Sequence, residues 1–178
     1  KKSFLYFSNL GKKKIFFSNN FNSKKKNFIK KNLEKKNRIN KKFKNVVILN
    51  VLEHIFDTNN SMLEIRKILK KNGNLILSTP FIYRFHGAPD DYNRYTVSYL
   101  EKLLKLNKFK LTKKINCGTG PFLASYSLIF DYIKRIPLLP IPILICSLIL
   151  DKFLSIFQKK KMSSLYPICI FIIAKKIN

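Results

Sequence analysis

The 178 residues carry 36 lysines and arginines against 9 acids, a net charge of +27, and 46% of them are hydrophobic. That apolar content suffices for one domain with a sizeable core and excludes an intrinsically disordered chain. The charge would suggest a polyanionic partner, but only five basic residues are arginine, and Lys, Asn, Ile and Phe make up about half of the chain, as an AT-rich coding sequence produces; nucleic acid is therefore disfavoured.

Cys117, Cys146 and Cys169 are odd in number and far apart, with no histidine at metal-ligand spacing, so neither a disulfide framework nor a zinc-finger pattern is expected. A reduced, cytoplasmic setting fits. The chain opens on Lys1 and shows no secretory signal pattern, and an upstream segment is expected.

Residues 1–45 form a basic, weakly patterned part with Glu34 as its one acid, and the apolar groups Phe4–Phe7, Ile15–Phe17 and Phe28–Ile29 suggest short strands beside a solvated helix. Val46–Leu49 is a continuous apolar run of the kind buried on both faces of a parallel sheet. Ser61-Met62-Leu63-Glu64 reads as a capping box. It opens a helix with Met62, Ile65, Ile68 and Leu69 on one face, closed by Lys70-Lys71-Asn72-Gly73. A strand over Leu75–Leu77 then stops at Pro80, which completes a βαβ unit.

After an irregular stretch, Thr96 caps a helix with Val97, Leu100, Leu103 and Leu104 on its apolar face, ending near Asn107. Phe109, Leu111 and Ile115 share one face of a strand that Gly118-Thr119-Gly120-Pro121 breaks. Residues 123–160 form a helical, apolar insertion, and the last strand is Ile168–Ala174. Within the insertion, Ile136–Leu150 is uncharged for fifteen residues. At 1.5 Å per residue it spans about 22 Å, short of a hydrocarbon core of about 30 Å. A buried helix or helical hairpin against the sheet is the first reading; peripheral contact with a membrane through 136–150 is the second.

Two stretches, VVILNVLEHIFD (Val46–Asp57) and IRKILKKNGNLILSTP (Ile65–Pro80), together resemble the type 11 family of S-adenosylmethionine-dependent methyltransferases. A third, HGAPDDYNRYT (His86–Thr96), is similar to a signature in a subset linked to cell-surface glycan biosynthesis, as is the closing Tyr166-Pro167 strand. The resemblance covers roughly residues 32–176 and implies one α/β domain. Its expected fold is a Rossmann-like class I methyltransferase sheet with helices on both faces, lacking the first strand and glycine loop. Gly11 is the only glycine before Gly73, and Ser18, Asn19 and Asn20 stand where an acid would hold the ribose, so the glycine turn is expected upstream of Lys1.

The implied activity is methyl transfer from S-adenosyl-L-methionine to a small-molecule or glycan-type acceptor; the alternative is a non-catalytic fragment or degenerate domain. By the resemblance, Asn32, Asn50, Leu52 and Glu53 are expected on the cofactor side and His54 and His86 as catalytic residues. Asp90, Asp91, Tyr92 and Arg94 form an acceptor-binding loop, although Asp91 and Arg94 equally suit a structural ion pair. Glu53 alone supplies too few oxygen donors for a divalent ion, and no metal is expected.

Overall fold

The computed structural model describes residues 41–87 and 90–177, and of residues 1–40 only the backbone of three short strands. It divides into two compact units: Lys1–Thr79, His86–Lys114 and Phe171–Asn178 form the first, Pro80–Phe85 and Ile115–Ile170 the second.

Seven described strands form one sheet: β1 (Leu5–Ser8), β2 (Lys14–Phe17), β3 (Phe28–Ile29), β4 (Phe43–Leu49), β5 (Leu69–Pro80), β6 (Phe109–Cys117) and β7 (Cys169–Lys176). Their order is β3-β2-β1-β4-β5-β7-β6. β4 and β5 pair in parallel, whereas β1 runs antiparallel to β4. The three early strands coincide with the apolar groups of the sequence; the helix expected beside them and Asn32 lie outside the described residues.

The parallel pair is set by its apolar pattern. Val46 opposes Leu75 and Ile48 opposes Leu77, and all four are buried on the face they share. Val47 and Ile76, on the other face, are half-buried, and Leu49 is exposed, so β4 is covered fully on one side only. A strand run that reads as doubly buried in sequence therefore keeps one open flank at its carboxyl end.

Helix α1 (Thr58–Ile68) starts three residues before the capping box. Asp57 is its cap, with a side-chain oxygen accepting from Asn60 N at 3.0 Å. Ser61 lies inside the helix, fully buried, and Glu64 bonds Lys67 at 2.6 Å. The helix also ends earlier than the Lys70–Gly73 signal. Lys176 of β7 donates to the carbonyls of Arg66 and Leu69 at 2.7 and 2.8 Å, closing the helix from a distant strand. That burial lowers the Lys176 pKa. Residues 70–73 bulge out between the pairs Phe43–Leu69 and Asn45–Asn74. Asn72 takes a φ of 59°, and a Cβ on Gly73 would meet the carbonyl oxygens of Lys70 and Lys44 at 2.9 and 3.0 Å. Helix α2 (Val97–Leu106) begins as expected, with Thr96 Oγ1 accepting from Tyr99 N at 3.2 Å.

The second unit holds α3 (Pro121–Ile133), α4 (Pro140–Ile156) and the short α5 (Met162–Leu165). Asp151 of α4, itself buried, accepts from Thr119 Oγ1 and from the N–H groups of Phe122 and Leu123 at 2.6 to 3.0 Å. One carboxylate thus satisfies the orphan donors at the start of α3. The expected burial of 136–150 is not found: of α4 only Ser147 and Asp151 are buried, while Leu138, Ile141, Ile145 and Ile149 are 79, 58, 51 and 61% exposed. Asp151 faces α3, Ser147 bonds the Ile143 carbonyl of its own helix, and those aliphatic side chains are left outside. No described helix is long and apolar enough to cross a membrane.

Replacing Asp57 by alanine should lower stability in urea titration by about 1 kcal/mol, because an N-cap bond is lost. Ser61→Ala, at the position that the sequence pattern alone favours, should be near neutral. A loss at Ser61 with none at Asp57 would contradict this capping.

Candidate functional site

The site lies in the first unit, where β4 ends. Asn50 bends the chain with a φ of 52°, a conformation that asparagine tolerates. Its N–H donates to the Ser78 carbonyl and its Oδ1 accepts from Ser78 Oγ, both at 3.0 Å, so the bend is tied to β5. A single 3-10 turn, Leu52–His54, follows. It places Leu52 and Glu53 inside, 1 and 0% exposed, and turns His54 toward the loop of residues 86–95.

That loop holds the turn through backbone and side-chain bonds. The Glu53 carbonyl accepts from Tyr92 N at 2.8 Å and from Asn93 N at 3.3 Å. Tyr95, buried, donates its hydroxyl to the Leu52 carbonyl at 3.1 Å and meets Thr58 Oγ1 at 2.8 Å. Burial pushes its phenol pKa up to about 12, so it stays a neutral donor. His54 Nδ1 bonds the carbonyl oxygen of Asp90.

The loop is braced by an ion pair. Arg94 grips both oxygens of Asp91, Nη1 on Oδ1 and Nη2 on Oδ2 at 2.6 Å. Asp91 Oδ2 also accepts the His86 N–H at 2.9 Å and lies 3.2 Å from His86 Nδ1. The Arg94 hydrogen bonds hold the Asp91 pKa at about 2 against the burial that would raise it. The structural role of the Asp91–Arg94 pair is therefore realised in the geometry. Tyr92 is half exposed and meets the exposed Phe56 edge-on at 5.5 Å, and Asp90 presents its side chain to solvent.

This bracing brings the chain's two histidines together, with ring centroids 4.9 Å apart. Glu53 lies beneath them: Oε1 is 3.8 Å from His54 Nε2, and among the described residues neither carboxylate oxygen has a hydrogen-bond partner. One ligand-capable atom from each of Glu53, His54 and His86 lies within 4.8 Å of the others. Burial raises the Glu53 pKa to about 7, offset in part by its own backbone N–H dipole and by the positive charges of His54, when protonated, and Arg94.

No sequence-family profile and no curated protein matches the chain. Solved structures do resemble it. The [4+2]-cyclase SpnF is 11% identical with a TM-score of 0.53, over 85% of this chain and 57% of that one. An O-methyltransferase from a trans-AT PKS multienzyme of Brevibacillus brevis, solved with S-adenosyl-L-homocysteine, is 15% identical with a TM-score of 0.53, over 84% of this chain and 49% of that one. The chain has the Rossmann-like fold of class I methyltransferases. An S-adenosylmethionine-dependent methyltransferase from Mesorhizobium loti, 11% identical with a TM-score of 0.50, covers 84% of this chain and is itself covered over 68%. The chain thus spans about half to two thirds of the length of these structures.

In a class I methyltransferase fold, as in other open α/β sheets, ligands bind outside the carboxyl ends of the strands. Asn50, Glu53 and His54 follow the carboxyl end of β4, and His86 joins them from the loop. The Leu52 side chain is sealed in the core, so only its backbone borders the site. Sequence reading missed Tyr95 and Thr58, which hold the turn; an aromatic residue directly before the Thr96 cap was the available signal.

The raised Glu53 pKa has a signed consequence. A carboxyl group with a folded pKa near 7 and an ordinary value of 4.5 favours the folded state fully below pH 4.5, and loses that contribution as pH rises to about 7. In chelator, Glu53→Gln should therefore stabilise the chain at pH 8, by up to on the order of 3 kcal/mol, and change little at pH 4. Urea melts showing equal effects at both values would refute the buried, unpaired carboxylate.

Proposed function

We propose that the chain is an S-adenosylmethionine-dependent methyltransferase acting on a small-molecule or glycan-type acceptor. The supporting observation is the Glu53–His54–His86 cluster at the carboxyl end of β4, in a fold whose solved examples include an enzyme with S-adenosyl-L-homocysteine bound. The bound cofactor supplies an electrophilic methyl group on a sulfonium, so the protein's task is alignment in a site of restricted water and neutralisation of the acceptor's proton.

On the cofactor side, the bend at Asn50 and the exposed Leu49 give a polar and an apolar edge that fit a nucleoside, with the Leu52 backbone behind them. Asn32 belongs to the same reading through the family resemblance. Glu53, expected with these residues, lies against the imidazoles, which supports reading it on the acceptor side, where His54 and His86 activate the nucleophile. Tyr92 and the side chain of Asp90 line the acceptor's approach, and Asp91 with Arg94 keeps the loop in place.

Fold does not fix activity, and SpnF is named as a cyclase. A methyltransferase-like domain that holds no cofactor is therefore the competing reading. Isothermal titration of the 178-residue chain with S-adenosyl-L-homocysteine decides between them. Micromolar binding that weakens about tenfold in Asn50→Ala is expected; no heat in a folded sample would favour the competitor.

The exposed aliphatic face of α4 supports a second element of this reading, peripheral contact with an anionic membrane. Its apolar side chains are flanked by exposed Lys134, Arg135, Lys152 and Lys159–Lys161, a charge arrangement that complements acidic headgroups. Co-sedimentation with phosphatidylglycerol vesicles should be lost when Ile141, Ile145 and Ile149 become serine, and should weaken with salt. Leu139, Ile143 and Leu144 are half-buried, and their replacement tests packing instead. Binding unaffected by the exposed-face changes would remove the membrane from this account.

A further inference from the structure

We infer that Glu53, His54 and His86 form a binding site for a divalent transition metal of the zinc type. The inference rests on the same cluster as the proposed methyl transfer, but metal uptake itself does not depend on that activity.

The first ground is the carboxylate. Glu53 is completely buried, and both of its oxygens lack a hydrogen-bond partner among the described residues. A carboxylate in that position is costly unless it meets a cation or takes up a proton. The second ground is what faces it. The chain contains two histidines, 32 positions apart, and both are delivered to this one carboxylate. A lone organic cation would be met adequately by the carboxylate; two imidazoles beside it add lone pairs, which a metal ion uses and an ammonium or sulfonium does not.

The third ground is the outer layer. Metal-bound histidines ordinarily donate their second ring N–H to a carbonyl or carboxylate, which fixes the tautomer and the ring. His54 has this arrangement through Nδ1 and the Asp90 carbonyl, leaving Nε2, the nitrogen nearest Glu53, for coordination. For His86 the neighbouring acid is Asp91, whose Oδ2 lies 3.2 Å from Nδ1 and accepts the His86 backbone N–H at 2.9 Å, and Arg94 anchors that carboxylate in turn. The His54 ring is thus set by a hydrogen bond, and His86 is tied through its backbone to an anchored carboxylate that stands beside its ring.

Ligand type selects the ion. Two nitrogens and one carboxylate suit zinc and its first-row neighbours, whereas magnesium and calcium require mostly oxygen. Two ligands on one zinc ion, each about 2.0 to 2.2 Å from it, can stand no more than about 4.4 Å apart. The present limit of 4.8 Å needs only a small rotation of the side chains to close. Three protein ligands leave a fourth position for an acceptor hydroxyl or carboxylate. An ion held by Glu53, His54 and His86 would supply Lewis acidity to an acceptor hydroxyl, so that the two imidazoles would act on the nucleophile through the metal; the proton would leave to water, and the methyl carbon would pass to that oxygen with the C–S electron pair going to sulfur. This last step rests on the methyl-transfer reading.

The test uses the untagged, chelator-treated 178-residue chain with Zn2+ as probe, followed by equilibrium dialysis and metal analysis. One equivalent should be retained. His54→Ala, His86→Ala and Glu53→Gln should each weaken retention at least about tenfold, and Arg94→Ala by a similar or smaller factor. Imidazole NMR of the unaltered chain gives a second readout that no unfolded variant can confuse: both histidine side chains should shift together as Zn2+ is added, with no effect of Mg2+. No uptake, histidine signals that do not move, or uptake abolished by alkylating Cys117, Cys146 and Cys169 would overturn the site. Loss of zinc binding with S-adenosyl-L-homocysteine binding retained defeats this inference alone; the reverse defeats the proposed function and leaves the metal site standing.

Discussion

The geometry of the site depends on two backbone bonds, from the N–H groups of Tyr92 and Asn93 to the Glu53 carbonyl. They join a three-residue turn after β4 to a loop nearly forty positions later, and the contacts between that turn and the loop's side chains follow from that junction. Tyr95 reinforces it through the Leu52 carbonyl, and Asp90 through the His54 ring. A buried carbonyl with two donors is inexpensive to maintain, whereas the same carbonyl without them would carry its full desolvation cost. The loop is thus held by the main chain, and its side chains are released for chemistry.

The side chains so released are of two kinds. Asp91 and Arg94 form a bidentate pair with little freedom, and their charge is spent on holding His86. Glu53 has the opposite character: its carbonyl is doubly bonded while its carboxylate is left without a hydrogen bond, so its ionisation depends on what enters the site. Placing a satisfied acid beside an unsatisfied one separates their pKa values by about five units, from about 2 to about 7.

The second unit follows a different rule. Asp151 concentrates its polar requirement at one point, where three donors from the Thr119–Leu123 segment converge on a single carboxylate. A Cβ on Gly120 would stand 2.5 Å from that carboxylate, so the glycine before Pro121 is required by close approach. With the polar contact inside, the aliphatic side chains of α4 remain outside, and an apolar helix carries its hydrophobic face to the surface.

Much of the fold was legible in the sequence because local pattern and tertiary outcome agree there. The apolar runs that become β4 and β5, the Thr96 cap, and the Gly118–Pro121 break all act within a few residues, where apolar patterning and turn chemistry operate. The Leu-Glu-His stretch likewise supplies one half of the candidate site. Long-range partners were not legible. Lys176 closes α1 from over a hundred positions away, Asp57 outcompetes a well-formed capping box, and α4 turns its aliphatic face outward because Asp151 fixes the other. His86 reaches His54 only because a backbone junction and an ion pair fold the loop back, and neither has a spacing that a linear pattern records. Sequence determined which groups the chain offers and which segments become strands and helices; tertiary structure decided which of those groups meet, since burial and hydrogen-bond satisfaction are properties of the packed whole.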